Sequence, residues 1–396
     1  MSEFLIISIP ADRDPEKAYN EVSSSLSKFP VAQSVSRFPI PLNLKVGTLD
    51  VLVGMSDEFA KLDSFADTIV RKVAQYMGDV LEEQKHKLAD NLLVGGGLVF
   101  RFLVFTRAIV VSPCLYVSKF QWDTAKYPIK QPLQSLHDIL SENLSRIEAD
   151  LRTRSATYNN IKGNLQAMEK KQTGSLLTRN LAEIVKKQQF VLNSEYLITV
   201  AVVVPRQSYK EWEASYESLV DMVVPRSTEL IYEDQENGLW TVTLFQKMLG
   251  DFTLRAREKK FIVRDFVYDE KMIEESKNAL SKLEADKKKH FPPLFRWLRV
   301  NFGEAFAAMM HIKALRVFIE SVLRFGLPVD FEAILIIPNK KNYKKLREAL
   351  HNMFEHLDNL SVSSTKDEEI PGPGMSHGEY YPYVSITVET NFVEAH

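Results

Sequence analysis

Cysteine is almost absent from this sequence: among its 396 residues, Cys114 alone carries a thiol. One thiol cannot close an intramolecular disulfide, and it cannot supply a zinc site that needs several cysteine ligands. Cys114 ends an apolar stretch and has no neighbouring cation that would favour the thiolate. We therefore expect an inert, buried side chain there.

A large excess of charge of either sign is also missing. Lys and Arg number 50 and Asp and Glu 52, which gives a formal net charge of -2. Proteins that bind nucleic acid through a basic surface usually show a clear positive balance, so we expect no nucleic-acid partner. Hydrophobic residues make up 45% of the chain, which is typical of a folded protein and excludes wholesale disorder.

The signatures of common active sites are lacking. The sequence has no G-x-x-x-x-G-K-[ST] phosphate loop, no G-x-S-x-G nucleophile turn, and no G-x-G-x-x-G spacing around the glycines at 95–97. His351 and His356 are five residues apart, which places them on different faces of a helix. His311 lies beside an apolar stripe, as a structural histidine does. We therefore predict no catalytic residue, no metal site and no cofactor.

A long uninterrupted apolar run is missing as well. Residues 94–117 are almost entirely apolar, but Arg101, Arg107 and Pro113 interrupt them. A membrane-spanning helix needs roughly 17–25 apolar residues, and a central Arg costs about 2.5–3.5 kcal/mol on insertion scales. We expect a buried or locally disordered insertion here rather than a transmembrane segment.

The N-terminal residues show no basic segment, and their apolar run is too short for a signal peptide. We interpret them as a first β-strand and expect the protein in the cytosol.

Helical periodicity is what the sequence has in abundance. Between residues 133 and 168 the apolar side chains recur every three or four positions, with no proline and with Gly163 as the only glycine. This predicts one helix of roughly 55–60 Å. A helix with such polar outer faces needs a second helix along its apolar stripe. The stripe consists of Leu133, Leu136, Leu140, Leu144, Ile147, Leu151, Tyr158, Ile161, Leu165 and Met168.

The remaining patterns predict both strands and helices. Strands are predicted at 4–9, 196–204, 229–232, 239–244, 331–337 and 383–388. Helices are predicted at 14–26, 57–83, 181–187, 209–222, 245–259, 270–289, 294–325 and 343–357. Pro292 and Pro293 are interpreted as a helix start, and 29–44 and 361–378 as loops. Lys287 to Lys289 are interpreted as a solvated helix terminus, with an interaction surface as the alternative.

These elements predict a mixed α+β (α/β) fold of elongated form. A foot domain would combine residues 1–122 and 326–396, and a long helical neck residues 123–173 and 261–325. An inserted α/β head would comprise residues 174–260.

Several stretches, in one order along the chain, resemble a known protein family. They are 45–53 (KVGTLDVLV), 120–130 (FQWDTAKYPIK), 174–179 (GSLLTR), 190–196 (FVLNSEY), 256–266 (AREKKFIVRDF), 311–317 (HIKALRV) and 320–328 (ESVLRFGLP). Together they are similar to the C subunit of the vacuolar-type proton-pumping ATPase (V-ATPase), in its animal form. None of them is a catalytic signature.

The resemblance implies a non-catalytic stator and assembly subunit with a head, a neck and a foot. It would join the peripheral stalks, which are heterodimers of subunits E and G, to subunit a of the membrane sector, and it would support reversible assembly of the pump. It would be cytoplasmic and reach endomembranes (vacuole, lysosome or endosome) or the plasma membrane only through the complex. The resemblance also implies actin binding. On residue patterns alone, a cytoskeletal, actin-binding scaffold or spacer is the alternative.

One departure from the family pattern stands out. The family runs directly from a stretch like 90–93 to one like 120–122, whereas in this chain the apolar block 98–114 intervenes. A variant loop and a gene-model error, such as retained intron sequence, both explain it.

Partner-binding residues are predicted from side-chain type, since aromatic and cationic side chains anchor many interfaces. Each of them also has an ordinary interpretation as a core or solvated residue. The set is Phe190, Tyr196, Lys259, Lys260 and Arg264 in the head, and Trp122, Phe325, Tyr380 and Tyr381 in the foot.

Overall fold

Two antiparallel four-stranded sheets and three long helices account for most of the fold. The computed structural model describes residues 3–28, 31–95, 110–192, 194–358 and 381–392. The chain divides into a first unit, Met1–Ser155 with Pro292–His396, and a second unit, Ala156–Phe291. The mixed α+β class is confirmed, while the division into foot, neck and head stays a prediction.

Strands and helices are interspersed along the chain. The chain runs through β1 (Glu3–Pro10), α1 (Pro15–Ser27), β2 (Ala32–Arg37), α2 (Leu49–Leu81), α3 (Leu88–Asn91), β3 (Val94–Gly95), β4 (Val110–Val111), α4 (Pro113–Ser118) and α5 (Leu133–Thr173). It continues through β5 (Leu197–Pro205), α6 (Tyr209–Ser215), β6 (Glu229–Glu233), β7 (Asn237–Phe245), α7 (Leu249–Glu258) and β8 (Ile262–Arg264). The last elements are α8 (Glu270–Phe325), β9 (Phe331–Pro338), α9 (Tyr343–Asp358) and β10 (Val384–Glu389). The boundary between the units falls once inside α5 and once inside α8.

The sheet of the first unit has the order β10-β1-β9-β2 and joins the two ends of the described chain. Leu5 of β1 lies opposite Thr387 of β10 on one side and Ile336 of β9 on the other. One face packs on α1 and α9, where Leu5 and Ile336 belong to a buried cluster. On the other face the hydroxyls of Ser8 and Ser321 hydrogen-bond at 2.7 Å, which places α8 there. Because both faces are covered, β1 carries apolar side chains on both faces, with the buried, hydrogen-bonded Ser8 as its polar member.

Three helices pack together in the first unit. The Phe59 ring of α2 meets the His137 ring of α5 edge-on at 5.4 Å. Further along the same pair, Lys72 and Glu148 form an ion pair of 2.6 Å. The guanidinium of Arg154 lies 5.3 Å from the Trp297 ring centroid of α8. The predicted seam of α5 is buried here at Leu133, Leu136, Leu140, Leu144, Ile147 and Leu151.

The second unit contains the sheet β6-β7-β5-β8, with the predicted hairpin of β6 and β7 and with β5 in an interior position. One face of this sheet packs on α6 and α7 around the buried rings of Trp212, Phe252 and Phe261. A second, smaller cluster covers part of the other face with Leu176, Leu181, Val185 and Phe190.

Four sequence predictions need correction. The segment 29–44 is not all loop, because β2 forms between its prolines and so loses no ladder N–H. Helix α2 begins earlier than predicted, at Leu49. The predicted helices at 181–187, 209–222 and 245–259 are shorter and are partly 3₁₀ turns.

The fourth correction concerns Pro292 and Pro293. They do not start a helix but lie inside the continuous α8. Lys287, Lys288 and Lys289 therefore lie within α8 and not at a helix terminus.

Three sequence expectations fall outside the described residues. These are most of the apolar block 98–114, the loop 361–378, and Tyr380. Within the described ranges, no helix is both long and apolar enough to cross a membrane.

Candidate interaction surfaces

A buried ionic cluster joins α2 to α8 in the first unit. Lys313 Nζ lies 2.9 Å from Asp63 Oδ1 and 3.4 Å from Asp67 Oδ2, and Arg316 donates to Asp63 Oδ2 over 2.7 Å. The Asp63 and Lys313 side chains are only 5% and 4% exposed. Charges at this depth persist only when paired. The 311–317 stretch therefore positions two helices and offers no free cation for chemistry.

His311 holds a loop onto α8. Its Nε2 accepts a hydrogen bond of 3.0 Å from the backbone N–H of Asp123, so the ring proton is on Nδ1, which donates to the Ala307 carbonyl over 2.7 Å. The rings of Trp122 and Tyr127 pack against the imidazole with centroids 4.9 and 4.5 Å away. Burial lowers the pKa of His311 to about 4. The prediction of a hydrogen-bonded structural histidine is confirmed.

Two of the described foot residues are neighbours: Phe325 follows Arg324, which donates to the Tyr381 carbonyl over 2.6 Å, whereas Trp122 packs near His311, fourteen residues earlier in α8. Trp122 is half-buried and donates through Nε1 to the Tyr127 carbonyl over 2.8 Å, which explains it as a loop anchor. Phe325 is the half-buried last residue of α8. Tyr381 stacks on Tyr383 at 5.5 Å and lies under the Arg347 guanidinium at 4.4 Å. A partner-binding role for any of them stays a prediction.

Two of the predicted head residues are occupied inside the second unit. Phe190 is buried and packs against the rings of Phe266 and Tyr268. Arg264 donates to the carbonyls of Leu176 and Arg179 and so ties that loop to the sheet. Desolvation lowers the pKa of the Arg264 guanidinium. These contacts explain both residues without a partner.

The predicted cations Lys259 and Lys260 lie at an exposed corner between α7 and β8. Lys259 Nζ is 3.7 Å from Glu211 Oε1, and Lys260 has a left-handed backbone with φ of 65°. Ile262, which follows them in β8, is exposed and pairs with Val203 near the end of β5. We call Lys259, Lys260 and Ile262 the basic corner.

Tyr196 lies at the opposite end of β5. It precedes the first residue of that strand, is 66% exposed, and accepts a hydrogen bond of 2.8 Å at its carbonyl from the Gln246 N–H. A nine-residue strand separates the two ends of β5 by about 25–30 Å at ~3.3 Å per residue. Tyr196 and the basic corner therefore cannot belong to one small site.

Two exposed apolar groups escaped the sequence prediction. In the second unit, Met222 and Phe245 are exposed beside the start of β5. In the first unit, Leu49, Val51 and Val53 are exposed in the first turns of α2. The second group lies in the 45–53 stretch, so part of that stretch faces solvent instead of the core. A periodicity argument assigns apolar residues to the core, and it therefore missed both groups.

Nucleophile and metal chemistry find little support in the described ranges. No group of three His, Cys, Asp or Glu side chains is placed there to hold a metal ion. Cys114 is half-buried, with its Sγ 3.2 Å from the Thr390 hydroxyl. The expectation of full burial for Cys114 is therefore wrong: its thiol lies at a partly exposed contact between α4 and the end of β10.

Comparison with known proteins gives a consistent result over the full length. The family model for the V-ATPase C subunit matches residues 4–384. The C 1-A subunit of the V-type proton ATPase of Danio rerio is 51% identical over 396 residues, covering 100% of both chains. The C 1 subunit of the V-type proton ATPase of Mus musculus is 51% identical over 395 residues, again covering 100% of both.

Among solved structures, one match is to a different kind of subunit. It is the cytoplasmic N-terminal domain of subunit I, a homologue of subunit a of V-ATPase, with a TM-score of 0.30 and 14% identity over 89% of this chain and 98% of that one. We draw nothing from so distant a similarity. The family match over residues 4–384 and the full-length relatives at 51% identity show that this chain belongs to the family of V-ATPase C subunits.

Proposed function

We propose that this protein is a non-catalytic stator and assembly subunit of a V-ATPase, acting in the cytoplasm at the membrane-bound pump. One observation carries the proposal: the whole chain, and not a fragment of it, aligns with V-type proton ATPase C 1 subunits at 51% identity. A part played within a proton-pumping complex follows from that membership. The stator role, the individual partner subunits and the location at a membrane are parts of our proposal.

The contacts of several polar side chains are structural, and this supports a non-catalytic role. Lys313, Arg316 and Asp63 neutralise one another in the core, and His311 uses both ring nitrogens to fix a loop. Arg264 is likewise bound to backbone carbonyls. These residues hold the fold together, and hydrolysis of ATP is assigned to other subunits of the complex.

The proposed partners are the heterodimers of subunits E and G that form the peripheral stalks, together with subunit a. Each of the two compact units has its own sheet and core, so each offers a separate surface. Two modest contacts in one chain bind tightly when both engage, and they release readily when one is lost. This arrangement suits a subunit that takes part in reversible assembly.

Calorimetric titration of purified E–G heterodimer into the full chain tests the proposal. We expect saturable binding, and addition of subunit a should leave the E–G contact intact. Absence of binding, together with co-sedimentation of the chain with filamentous actin in the absence of pump subunits, would favour the actin-binding scaffold instead. Nucleotide turnover that survives stringent repurification would contradict the non-catalytic assignment.

A further inference from the structure

A cavity of about 740 Å³ lies between α1 and α9 in the first unit. Its floor is apolar: Leu26 and Val31 belong to the buried cluster beneath the two helices, and Met353 packs against that cluster. Pockets that bind small molecules in proteins generally measure about 300–1,000 Å³. The cavity is therefore large enough to hold an organic ligand.

The walls of the cavity come from the end of α1 and from one side of α9. The α9 residues that line it recur at steps of three and four and so share one face of the helix. They are Lys345, Glu348, Ala349, Asn352 and Met353. Across the gap, α1 presents the small Ser25. Because Ser25 and Ala349 are both small, the two helices leave space above the apolar floor that larger side chains would fill.

Cations flank the cavity on both walls. Lys28, the C-cap of α1, and Lys345, in the first turn of α9, line it and are exposed. Neither ammonium forms an ion pair with a side chain of the described ranges. Glu348 is the one carboxylate among the described lining residues. The surrounding segment 340–347 (KKNYKKLR) contains five Lys and Arg and no acidic residue. The local charge therefore favours an anionic ligand.

The uncharged lining indicates what else the ligand carries. The side-chain amides of Asn342 and Asn352 both donate and accept hydrogen bonds, and the Ser25 hydroxyl does the same, which suits a ligand with hydroxyl groups. The apolar floor suits a carbon skeleton. Lysine binds phosphate as a point charge, and an organic phosphate carries about −1.5 to −2 charge at pH 7. Phosphate groups on a hydroxylated carbon skeleton match all three parts of the lining.

We propose that the cavity between α1 and α9 is a binding site for a phosphorylated polyol. Lys28 and Lys345 bind its phosphate groups from opposite walls, and Asn342 and Asn352 bind its hydroxyls. The same chemistry occurs in free inositol phosphates and in the head groups of phosphoinositide lipids, and basic pockets are known to take such head groups. The site goes beyond the stator role, and neither depends on the other.

Calorimetric titration of the full chain with inositol trisphosphate is the first test. Inorganic phosphate and unphosphorylated inositol are the matched controls, because each carries only one part of the ligand. We expect saturable binding of the trisphosphate with one site per chain, about tenfold or more tighter than that of inorganic phosphate, and no binding of inositol. Inorganic phosphate that binds as tightly as the trisphosphate would show a site for bare anions and would overturn the polyol assignment.

Two variants test the location by different routes. Ala349→Leu fills the cavity, leaves every charge in place and keeps a good helix former. Lys28→Gln with Lys345→Gln removes both lining cations. The control is Lys341→Gln with Lys344→Gln, which makes the same change in net charge at exposed cations that do not line the cavity. We expect about a tenfold or greater loss of affinity in each site variant and less than about twofold in the control.

Thermal unfolding of each variant checks the fold, and a folding defect in one site variant leaves the other as the test. Hydrogen exchange gives an independent readout on the wild-type chain: saturation with the trisphosphate should slow exchange at 24–28 and 342–353. Equal affinity in the site variants and the wild-type chain, or an equal loss in the control, would overturn the site. Protection only outside these two segments would overturn it as well.

Vesicles distinguish the two sources of the ligand. Phosphatidylcholine vesicles that contain phosphatidylinositol bisphosphate are compared with vesicles that contain phosphatidylserine at matched charge. Selective co-sedimentation with the former, lost in both site variants, identifies a lipid head group. Binding of the soluble trisphosphate without vesicle binding identifies a free inositol phosphate. If neither form binds saturably, the site is overturned, while the stator proposal stands, because titration with the E–G heterodimer tests it separately.

Discussion

Lys313 of α8 and Asp63 of α2 form a contact of 2.9 Å between Nζ and Oδ1 in a nearly solvent-free part of the first unit. The contact is an ion pair outside the geometry of an aligned hydrogen bond, and Arg316 supplies the aligned one to the other carboxylate oxygen. Removal of either partner would leave a buried charge without compensation, which is strongly destabilising.

The buried pair gives a first prediction, on stability. Lys313→Met leaves a buried carboxylate with Arg316 as its remaining aligned partner, and we expect a loss of about 3–5 kcal/mol in the free energy of unfolding. Adding Asp63→Leu to that variant should recover part of the loss, because the most deeply buried carboxylate is removed, Arg316 keeps its ion pair with Glu320, and Asp67 is 39% exposed. Lys72→Met, which breaks the exposed pair with Glu148, is the control and should cost about 1 kcal/mol or less. Urea unfolding of the three variants measures these differences, and equal losses for Lys313→Met and Lys72→Met would contradict the account.

His311 gives a second prediction, on pH. Its pKa is about 4 in the folded chain against about 6.5 in an unfolded one. Between these values the unfolded state binds more protons, so stability falls as the pH decreases from about 6.5 to about 4, by up to about 3 kcal/mol. Above pH 6.5 the residue contributes no pH dependence.

The His311→Gln variant tests that assignment. The variant removes the titrating group, so the slope of stability against pH in this window should become shallower, whatever its absolute stability. Thermal or urea unfolding at several pH values between 4 and 7 supplies the slopes. The same slope in both proteins would show that other groups control the acid sensitivity.

Gly303 gives a third prediction, on close packing of α8. A Cβ at this position would lie 3.0 Å from the Leu93 carbonyl oxygen and 3.3 Å from the Val94 Cα, both of them backbone atoms that cannot rotate away. We expect Gly303→Ala to destabilise the chain by about 1–3 kcal/mol.

Gly54 of α2 provides the matched control for Gly303. It is also a helical glycine of the first unit, but its Cβ would meet nothing within 4 Å. Gly54→Ala should therefore stabilise the chain by about 0.5–1 kcal/mol through helix propensity. Unfolding curves of the two variants, measured side by side, test this prediction. A stabilised Gly303→Ala variant would show that α8 does not pack closely on the backbone of Leu93 and Val94.

The basic corner gives a fourth prediction, on binding kinetics. Lys259→Glu with Lys260→Glu should slow association with the E–G heterodimer several-fold at low salt, and the difference should shrink at high salt because charge steering is screened. Lys344→Glu with Lys345→Glu in α9, at two exposed cations of the first unit, makes the same change in net charge and is the control. Stopped-flow or surface-based kinetics at two salt concentrations would show the effect. Equal association rates for the double variant and the wild-type chain at both salt concentrations would contradict a role of the basic corner in binding the stalk.

Periodicity predicted most of the elements because burial determines them locally. The stripe of α5 and the apolar runs of β1, β5 and β9 each follow from the spacing of apolar residues, and all four elements form where expected. Gly326 also ends α8 as expected, with a φ of 83° and its N–H bonded to the Val322 carbonyl.

The wrong predictions arose where tertiary structure overrode a local sequence rule. Pro292 and Pro293 resemble a helix start in sequence, yet α8 passes through them. The strand β2 has a mostly polar sequence and is recognisable only through its pairing with β9.

The candidate surfaces were harder to predict than the fold. Side-chain type alone selected Phe190, Trp122 and Arg264, which the structure uses internally. It missed Met222 and Phe245, which are exposed beside the start of β5. No local sequence signal reports that, since both residues are apolar and lie beside buried ones.

Restoration of proton pumping tests the central claim most directly. Membrane vesicles from cells that lack their own V-ATPase C subunit would be supplied with this purified chain and with ATP, and acidification of the vesicle interior would be followed alongside recovery of E and G with the chain. We predict that acidification returns in proportion to the chain added and that E and G co-purify with it. Acidification that stays absent while the chain is folded, with E and G not recovered, would contradict its assignment as a stator and assembly subunit.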